Sequence, residues 1–218
     1  MKLSAVEAAE LCIGNIEDLN DSVNAIVTWD KEQVLLAAAA VDEATLDGRW
    51  LGLLHGMTVS LKDNIATAGM RTTSGAKFLS DYIPKEDAEV VRRLRGAGAI
   101  IIGKANMQEL AFGVVTTNPI FGQCKNPWNL KHIPGGTSGG SGASVAAGMC
   151  VCLFACSCVY MFPCPCLLGS DTSAFAIRLC TLRKQAHSLP PEPLPRPHTL
   201  FDNHVNRWQP RAGGGVWP

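Results

Sequence analysis

The sequence predicts an α/β fold, and three observations in its first half lead to that prediction. Residues 57–62 alternate apolar and polar side chains, which is the period of a β-strand. Residues 99–102 read AIII, a short apolar run typical of a strand buried on both faces. A segment with helical periodicity, residues 87–95, lies between them. Strand, helix and strand in this order favour a sheet covered by helices.

Two helices are predicted before the first strand. Ser4 followed by Glu7 has the pattern of a capping box, which marks the start of a helix. The apolar stripe that follows consists of Leu11, Ile13, Ile16 and Leu19. Asn20 and Asp21 are expected to end this helix. The alanine-rich residues 31–46 predict a second helix, which ends at the Asp-Gly pair that follows. Neither helix carries residues typical of catalysis, so both are expected to provide packing or partner surface.

The strand at residues 57–62 is expected to have one apolar face and to end at the Asp-Asn pair that follows it. Asp87 is a candidate N-cap for the next helix. The buried face of that helix is predicted to be Val90, Val91 and Leu94. Gly96 and Gly98 would then break the helix before the AIII strand.

Composition divides the chain into two parts, residues 1–150 and residues 151–218. The whole chain has 19 basic and 19 acidic side chains, so its zero net charge implies no polyanionic partner such as a nucleic acid. Only three of the acidic residues lie after residue 150, whereas nine of the 13 prolines and six of the nine cysteines do. The first part is therefore expected to be the folded domain.

The N-terminus lacks the apolar core of a signal peptide, which favours the cytosol or an organelle interior. Thiols stay reduced in these compartments. Cys12, Cys124 and Cys150 have no metal-ligand spacing and are expected to act as small buried hydrophobic residues.

A lysine and a distant glycine-rich loop are the candidate catalytic groups. Lys62 ends the first predicted strand, and a desolvated lysine can serve as a proton-transfer group. Residues 134–142 read PGGTSGGSG and place the hydroxyl groups of Thr137, Ser138 and Ser141 on a tight turn. This loop lacks the Gly-Lys-Ser/Thr ending of a Walker loop, and it runs directly into an apolar helix, unlike a flexible linker. Hydroxyl groups on a rigid turn, paired with an uncharged lysine, suit nucleophilic acyl transfer.

Five segments resemble the amidase signature family, in the branch of amidases and glutamyl-tRNA amidotransferase A subunits. They are GLLHGMTVSLKDNI, TTSGAKFL, AEVVRRLRGAGAIIIGKANMQELAFG, TTNPIFGQCKNPWN and IPGGTSGGSGASVAAG, and the register is continuous over residues 4–150. The resemblance implies the N-terminal portion of that family's fold, a mixed twisted sheet covered by helices. It also implies hydrolysis of carbon–nitrogen amide bonds by a Ser-cis-Ser-Lys triad, on a small-molecule or glutamine-like amide, with no cofactor or metal.

The resemblance also assigns roles by position. Lys62 would be the final proton acceptor, Thr137 the bridging hydroxyl at a cis peptide bond, and Ser138 the supporting serine. Threonine keeps the relay hydroxyl but adds a methyl group that changes the local geometry. The substrate and oxyanion loop would consist of Gly135, Gly136, Gly139, Gly140 and Ser141.

The nucleophile that the resemblance implies is replaced in this chain. Residues 168–175 read LGSDTSAF where the family has a GSDTGGS-like segment, so Phe175 occupies the nucleophile position and cannot attack a carbonyl. Ser173 lies two residues earlier, which makes it a weak substitute. We therefore expect a truncated chain with little or no activity. The alternative is a non-catalytic fragment that binds the partner subunits of an amidotransferase-like complex.

Residues 151–218 leave several interpretations open. The uncharged residues 143–162 are long enough for a membrane helix, although basic flanks are missing. Cysteines that could bind a soft metal, although they lack paired C-x₂-C spacing, are Cys152, Cys156, Cys158, Cys164 and Cys166. The segment SLPPEPLPRPHTL could be a polyproline ligand. We favour a poorly ordered tail, unrelated to the family, that derives from a retained intron or a shifted reading frame.

Overall fold

The computed structural model describes residues 3–154, which form a mixed sheet covered by helices. The helices are α1 (Ala5–Val23), α2 (Lys31–Leu46), α3 (Glu89–Gly96) and α4 (Gly139–Ala146). The strands are β1 (Ile26–Thr28), β2 (Thr58–Lys62), β3 (Ile100–Ala105), β4 (Thr117–Asn118), β5 (Gly122–Gln123) and β6 (Cys152–Phe154). This architecture confirms the predicted α/β fold. The predictions for Ser173, Phe175, the polyproline segment and the order of the tail lie outside the described residues.

Four of the strands form the main sheet, in the order β1-β3-β2-β6. β2 pairs in parallel with both β3 and β6, and β1 pairs antiparallel to the other edge of β3. The sheet therefore continues past residue 150, the boundary proposed from composition. Because β2 and β3 are parallel neighbours, their carboxyl ends lie at one edge of the sheet, where Lys62 is opposite Ala105.

The prediction of a single apolar face for β2 is wrong, because all five of its residues are buried. Its polar residues face polar side chains of the covering helices instead of solvent. The Cys12 thiol of α1 lies 3.2 Å from Thr58 Oγ1, and Ser144 Oγ of α4 lies 3.1 Å from Ser60 Oγ. Hydrogen bonding makes burial of these hydroxyls tolerable.

The capping box that starts α1 is confirmed, since Ser4 Oγ accepts the Glu7 N–H and the Glu7 carboxylate accepts the Ser4 N–H. The predicted end at Asn20 is wrong, because the helix continues to Val23 and closes on Asn24 in the left-handed region. The Asn20 side chain accepts the backbone N–H groups of Ala25, which precedes β1, and of Ile26, which begins it. It therefore joins α1 to a strand that the sequence analysis missed.

The prediction that Asp87 is the N-cap of α3 is wrong. The helix starts after Ala88 and has no side-chain cap. The Asp87 carboxylate instead accepts the Ala68 N–H at 2.8 Å and lies 3.1 Å from Arg95 Nε. The Asp87 carboxylate thus makes tertiary contacts and does not cap the start of α3.

The described residues contradict the membrane-helix interpretation and do not test the metal site proposed for the cysteines. α4 ends at Ala146 and β6 starts at residue 152, so a helix that starts at residue 143 is broken before residue 152. Within residues 3–154, no helix is both long and apolar enough to cross a membrane. No group of three His, Cys, Asp or Glu side chains in that range could hold a metal ion, and four of the five proposed cysteine ligands lie outside it. Cys12, Cys124 and Cys150 are buried, as expected.

The close packing at the start of α4 leaves room only for glycine. We therefore compare the stability of an alanine variant there with that of an alanine variant at an open glycine of α1. A Cβ atom on Gly140 would lie 2.5 Å from the Asn106 backbone nitrogen, whereas a Cβ atom on Gly14 in α1 would meet nothing within 4 Å. We expect Gly140→Ala to lower the free energy of unfolding by about 2 kcal/mol, because backbone must move. Gly14→Ala should raise it by about 0.5 kcal/mol. Urea unfolding of both variants tests this, and equal effects would contradict it.

Candidate functional site

The centre of the candidate site is a hydrogen bond between Lys62 and Thr137, at 2.7 Å between Nζ and Oγ1. Lys62 is the last residue of β2 and is fully buried. Thr137 is half-buried and lies on the loop that precedes α4. Residues 75 positions apart in the chain thus meet where the central strand ends.

Two glycines and a buried threonine shape the loop that carries Thr137. Gly135 and Gly136 have φ values of 79° and 70°, a region that favours glycine. Thr116 Oγ1 lies 2.7 Å from the Gly136 carbonyl oxygen and accepts the Gly139 N–H at 2.9 Å. Thr116 itself has a φ of 52°, which is strained for a β-branched residue. Thr116 was not predicted as a site residue, because no local sequence pattern singles it out.

Backbone contacts hold the same loop against residues 108–115. The Gln108 N–H donates to the Thr137 carbonyl at 3.1 Å. Val115 forms an isolated parallel bridge with Gly136. The backbone of Thr137 and that of the residue before it are both held, which places the Thr137 side chain next to Lys62.

The other residues of the predicted loop differ in what they can do. The Gly139 N–H donates to Thr116 Oγ1 and the Gly140 N–H to the Asn106 carbonyl, so neither is free to hold a substrate oxyanion. That part of the predicted oxyanion loop needs correction. Ser138 occupies the N-cap position of α4 without capping it through its side chain. The hydroxyl of Ser141 is buried and has no hydrogen-bond partner among the described residues.

The cis peptide bond that the resemblance implies is not found, since every peptide bond among residues 3–154 is trans. A cis bond before a non-proline residue costs about 3 kcal/mol. The trans chain already brings Thr137 Oγ1 within hydrogen-bond distance of Lys62.

A second fully buried lysine, Lys104, lies near the end of the neighbouring strand β3. Its Nζ donates to the Ile65 carbonyl, to Thr72 Oγ1 at 3.0 Å and to Thr67 Oγ1 at 3.2 Å. This lysine was not predicted as a site residue. The signal was there, because the strand sequences MTVSLK and IIIGK both reach a lysine at the carboxyl end.

Asp63 follows Lys62 directly in the sequence, and its charge interacts with that of Lys104. One of its carboxylate oxygens accepts both the backbone N–H and the hydroxyl of Thr73. Burial raises the pKa of Asp63, an effect that the charge of Lys104 and the Thr73 hydrogen bonds oppose. Burial lowers the pKa of Lys104 to about 8, against the favourable charges of Asp63 and Asp87.

The lowered pKa of Lys104 predicts a pH-dependent contribution to stability. Between pH 8 and pH 10.5 the unfolded chain still binds a proton at Lys104 that the folded chain has lost, so the free energy of unfolding rises with pH there. Urea unfolding gives the free energy of unfolding of wild type and of Lys104→Met. Across this window we expect the difference, wild type minus variant, to rise by about 1 kcal/mol per pH unit. Lys85→Met, at an exposed lysine, is the control and should give a flat difference. A flat difference for Lys104→Met as well would contradict the assignment.

Comparison with known sequences places this site in a family. Residues 7–155 match the family model named Amidase. The A subunit of glutamyl-tRNA(Gln) amidotransferase from Lachnospira eligens is 48% identical over 147 residues, which cover 67% of this chain and 31% of that protein. The protein of the same name from Moorella thermoacetica is 47% identical over 147 residues, 67% of this chain and 30% of its own length. The chain thus spans about a third of the length of these relatives.

Solved structures agree with the sequence comparison. The native peptide amidase of Stenotrophomonas maltophilia matches with a TM-score of 0.64 at 35% identity, over 68% of this chain and 32% of that one. The A subunit of glutamyl-tRNA(Gln) amidotransferase from Thermotoga maritima matches with a TM-score of 0.56 at 35% identity, over 67% and 30% of the two chains. The residues matched by the family model contain the main sheet, Lys62 and the loop of Thr137. This chain therefore belongs to the amidase family.

Proposed function

We propose that the described residues form the proton-transfer half of an amide-hydrolysing site, with Lys62 as base and Thr137 as relay. The observation that supports this role is the 2.7 Å contact between Lys62 Nζ and Thr137 Oγ1 at the end of a buried strand. Burial of Lys62 and the backbone contacts of the Thr137 loop keep the two groups together. Preorganised groups of this kind lower the barrier because they need no rearrangement during the reaction.

The chemistry needs a hydroxyl nucleophile and a route for its proton. As a serine oxygen bonds to the amide carbon, its proton passes through the Thr137 hydroxyl to the neutral amine of Lys62. The carbon–nitrogen bond then breaks, and the proton returns to the nitrogen, which leaves as ammonia. Water hydrolyses the acyl-serine ester by the same route. Ser138 beside Thr137 would support the relay.

This chain holds Phe175 at the position expected for the nucleophile, with Ser173 as a weak substitute, both outside the described residues. Phenylalanine has no group that can attack a carbonyl. The proposal is therefore that the relay is present, whereas hydrolysis by this chain is weak or absent.

The substrate and partners are proposed from the relatives. Two of them are named as A subunits of a glutamyl-tRNA(Gln) amidotransferase, which favours a glutamine-like amide, ammonia release and partner subunits. The peptide amidase match supports the alternative of a free-standing amidase. A non-catalytic fragment that binds partner subunits is the second candidate, and α1 and α2 would provide its binding surface.

A chimera tests the relay apart from the missing nucleophile. Residues 7–150 of this chain would replace the matching third of the Moorella thermoacetica protein, expressed with that protein's own partners. We expect the chimera to release ammonia from glutamine. Thr137→Val removes the hydroxyl at constant size and should lower kcat about 100-fold or more, as should Lys62→Ala. Thr137→Ser keeps the hydroxyl and should retain activity.

Two results would contradict the relay. One is a chimera that assembles with the partner subunits yet releases no ammonia. The other is equal activity of the Thr137→Val and Thr137→Ser chimeras, since the hydroxyl would then have no role.

The unaltered 218-residue chain tests the effect of Phe175. Because no competent nucleophile is expected, ammonia release from a panel of glutamine, asparagine and simple carboxamides should equal that of the Lys62→Ala variant. Release that is well above background and is lost in Lys62→Ala would show that another group of the chain attacks the amide.

A further inference from the structure

The helix pair α1 and α2 concentrates the negative charge of the chain. Residues 4–47 contain ten acidic side chains and a single basic one, Lys31, although the whole chain has equal numbers of both. The acidic residues are Glu7, Glu10, Glu17, Asp18, Asp21, Asp30, Glu32, Asp42, Glu43 and Asp47. The formal net charge of this segment is therefore −9, and the field of such a charge attracts cationic partners.

A shallow groove of about 490 Å³, widely open to solvent, lies between these two helices. Its lining residues are Val6, Glu10, Glu32, Leu35, Leu36 and Ala39. The floor is thus apolar and both acidic residues are exposed. Leu36 is 64% exposed, which leaves a large apolar side chain in solvent within the groove. Ala39 lets another backbone approach closely, because its side chain is small.

Polar contacts fix the walls of the groove at both ends of the helix pair. The Asp42 carboxylate of α2 accepts the backbone N–H groups of Ala5 and Val6, at 2.7 and 3.0 Å, at the start of α1. At the other end Lys31 Nζ lies 2.8 Å from a Glu17 carboxylate oxygen. A groove held in this way needs little ordering when a ligand binds.

We propose that this groove binds a basic amphipathic helix of a partner protein. The apolar face of such a helix would cover Leu35 and Leu36, and its lysine or arginine side chains would meet Glu10 and Glu32. An apolar floor with a charged rim is the arrangement that helix-in-groove recognition uses. The charge excess selects a cationic partner, and it disfavours a second copy of the same acidic surface. The proposal does not depend on amide hydrolysis.

The test uses the full chain and a fluorescein-labelled synthetic helix of about 18 residues, five helical turns, with leucine on one face and lysine on the other. Fluorescence anisotropy measures the dissociation constant. Two control peptides separate the contributions: one replaces lysine with glutamate, and the other replaces leucine with serine. We expect binding of the first peptide alone, weakened as salt is raised.

Paired charge reversals locate the site. The double variant Glu10→Lys, Glu32→Lys should weaken peptide binding by about tenfold or more, and Leu36→Ser should weaken it severalfold. Asp21→Lys is the matched control, because Asp21 is an exposed acid of α1 about 16 Å along the axis from Glu10. It should change the dissociation constant less than about twofold. Circular dichroism confirms that each variant is folded.

Three results would overturn the proposal. Equal weakening by Asp21→Lys would mean that the peptide responds to total charge alone. If the glutamate peptide bound as tightly as the lysine peptide, charge would have no role in recognition. If the serine peptide bound as tightly, the apolar face would have none. A dimer in sedimentation that Leu36→Ser dissolves would identify a second copy of this chain as the occupant.

Discussion

The loops around the candidate site are constrained by two lysine side chains buried at the carboxyl ends of neighbouring parallel strands. A buried ammonium or amine group is tolerated only when protein groups replace the hydrogen bonds of water. Lys62 obtains one such bond from the Thr137 loop, and Lys104 obtains three from residues 65–72. The segments that follow β2 and precede α4 therefore fold back over the sheet edge. The candidate site exists because those segments meet there.

Sequence reasoning succeeded where the determining interactions are local. The capping box of α1 lies within four residues, and the apolar AIII run identifies a buried strand without knowledge of its neighbours. The same reasoning failed where tertiary contacts decide. The polar residues of β2 suggested a solvent face, because alternation does not reveal that α1 and α4 bring hydroxyl and thiol groups to that face. Asp87 likewise serves a loop and an arginine of the following helix, not the helix start.

The sequence names the residues that meet in the candidate site but not the details of their contacts. Residue chemistry paired Lys62 with the hydroxyl groups of residues 134–142, and the family resemblance then singled out Thr137 among them, since no local pattern links positions so far apart. Thr116 could not be predicted, because its importance comes from two loop contacts and a strained backbone. Gly139 and Gly140 were expected to face substrate, yet their N–H groups hold the start of α4 against the rest of the fold. These glycines serve close packing, while the two glycines before Thr137 serve the turn.

The most direct test of this account is the accessibility of the two lysines in the native chain. Reductive methylation with formaldehyde, followed by mass spectrometry of the peptides, gives the labelling rate of each lysine. Lys31 is about half exposed and provides the reference. We predict that Lys62 and Lys104 are labelled about 100-fold more slowly than Lys31, because labelling requires opening of the structure. Labelling of Lys62 at a rate close to that of Lys31 would contradict the buried lysine–threonine contact on which the proposed function depends.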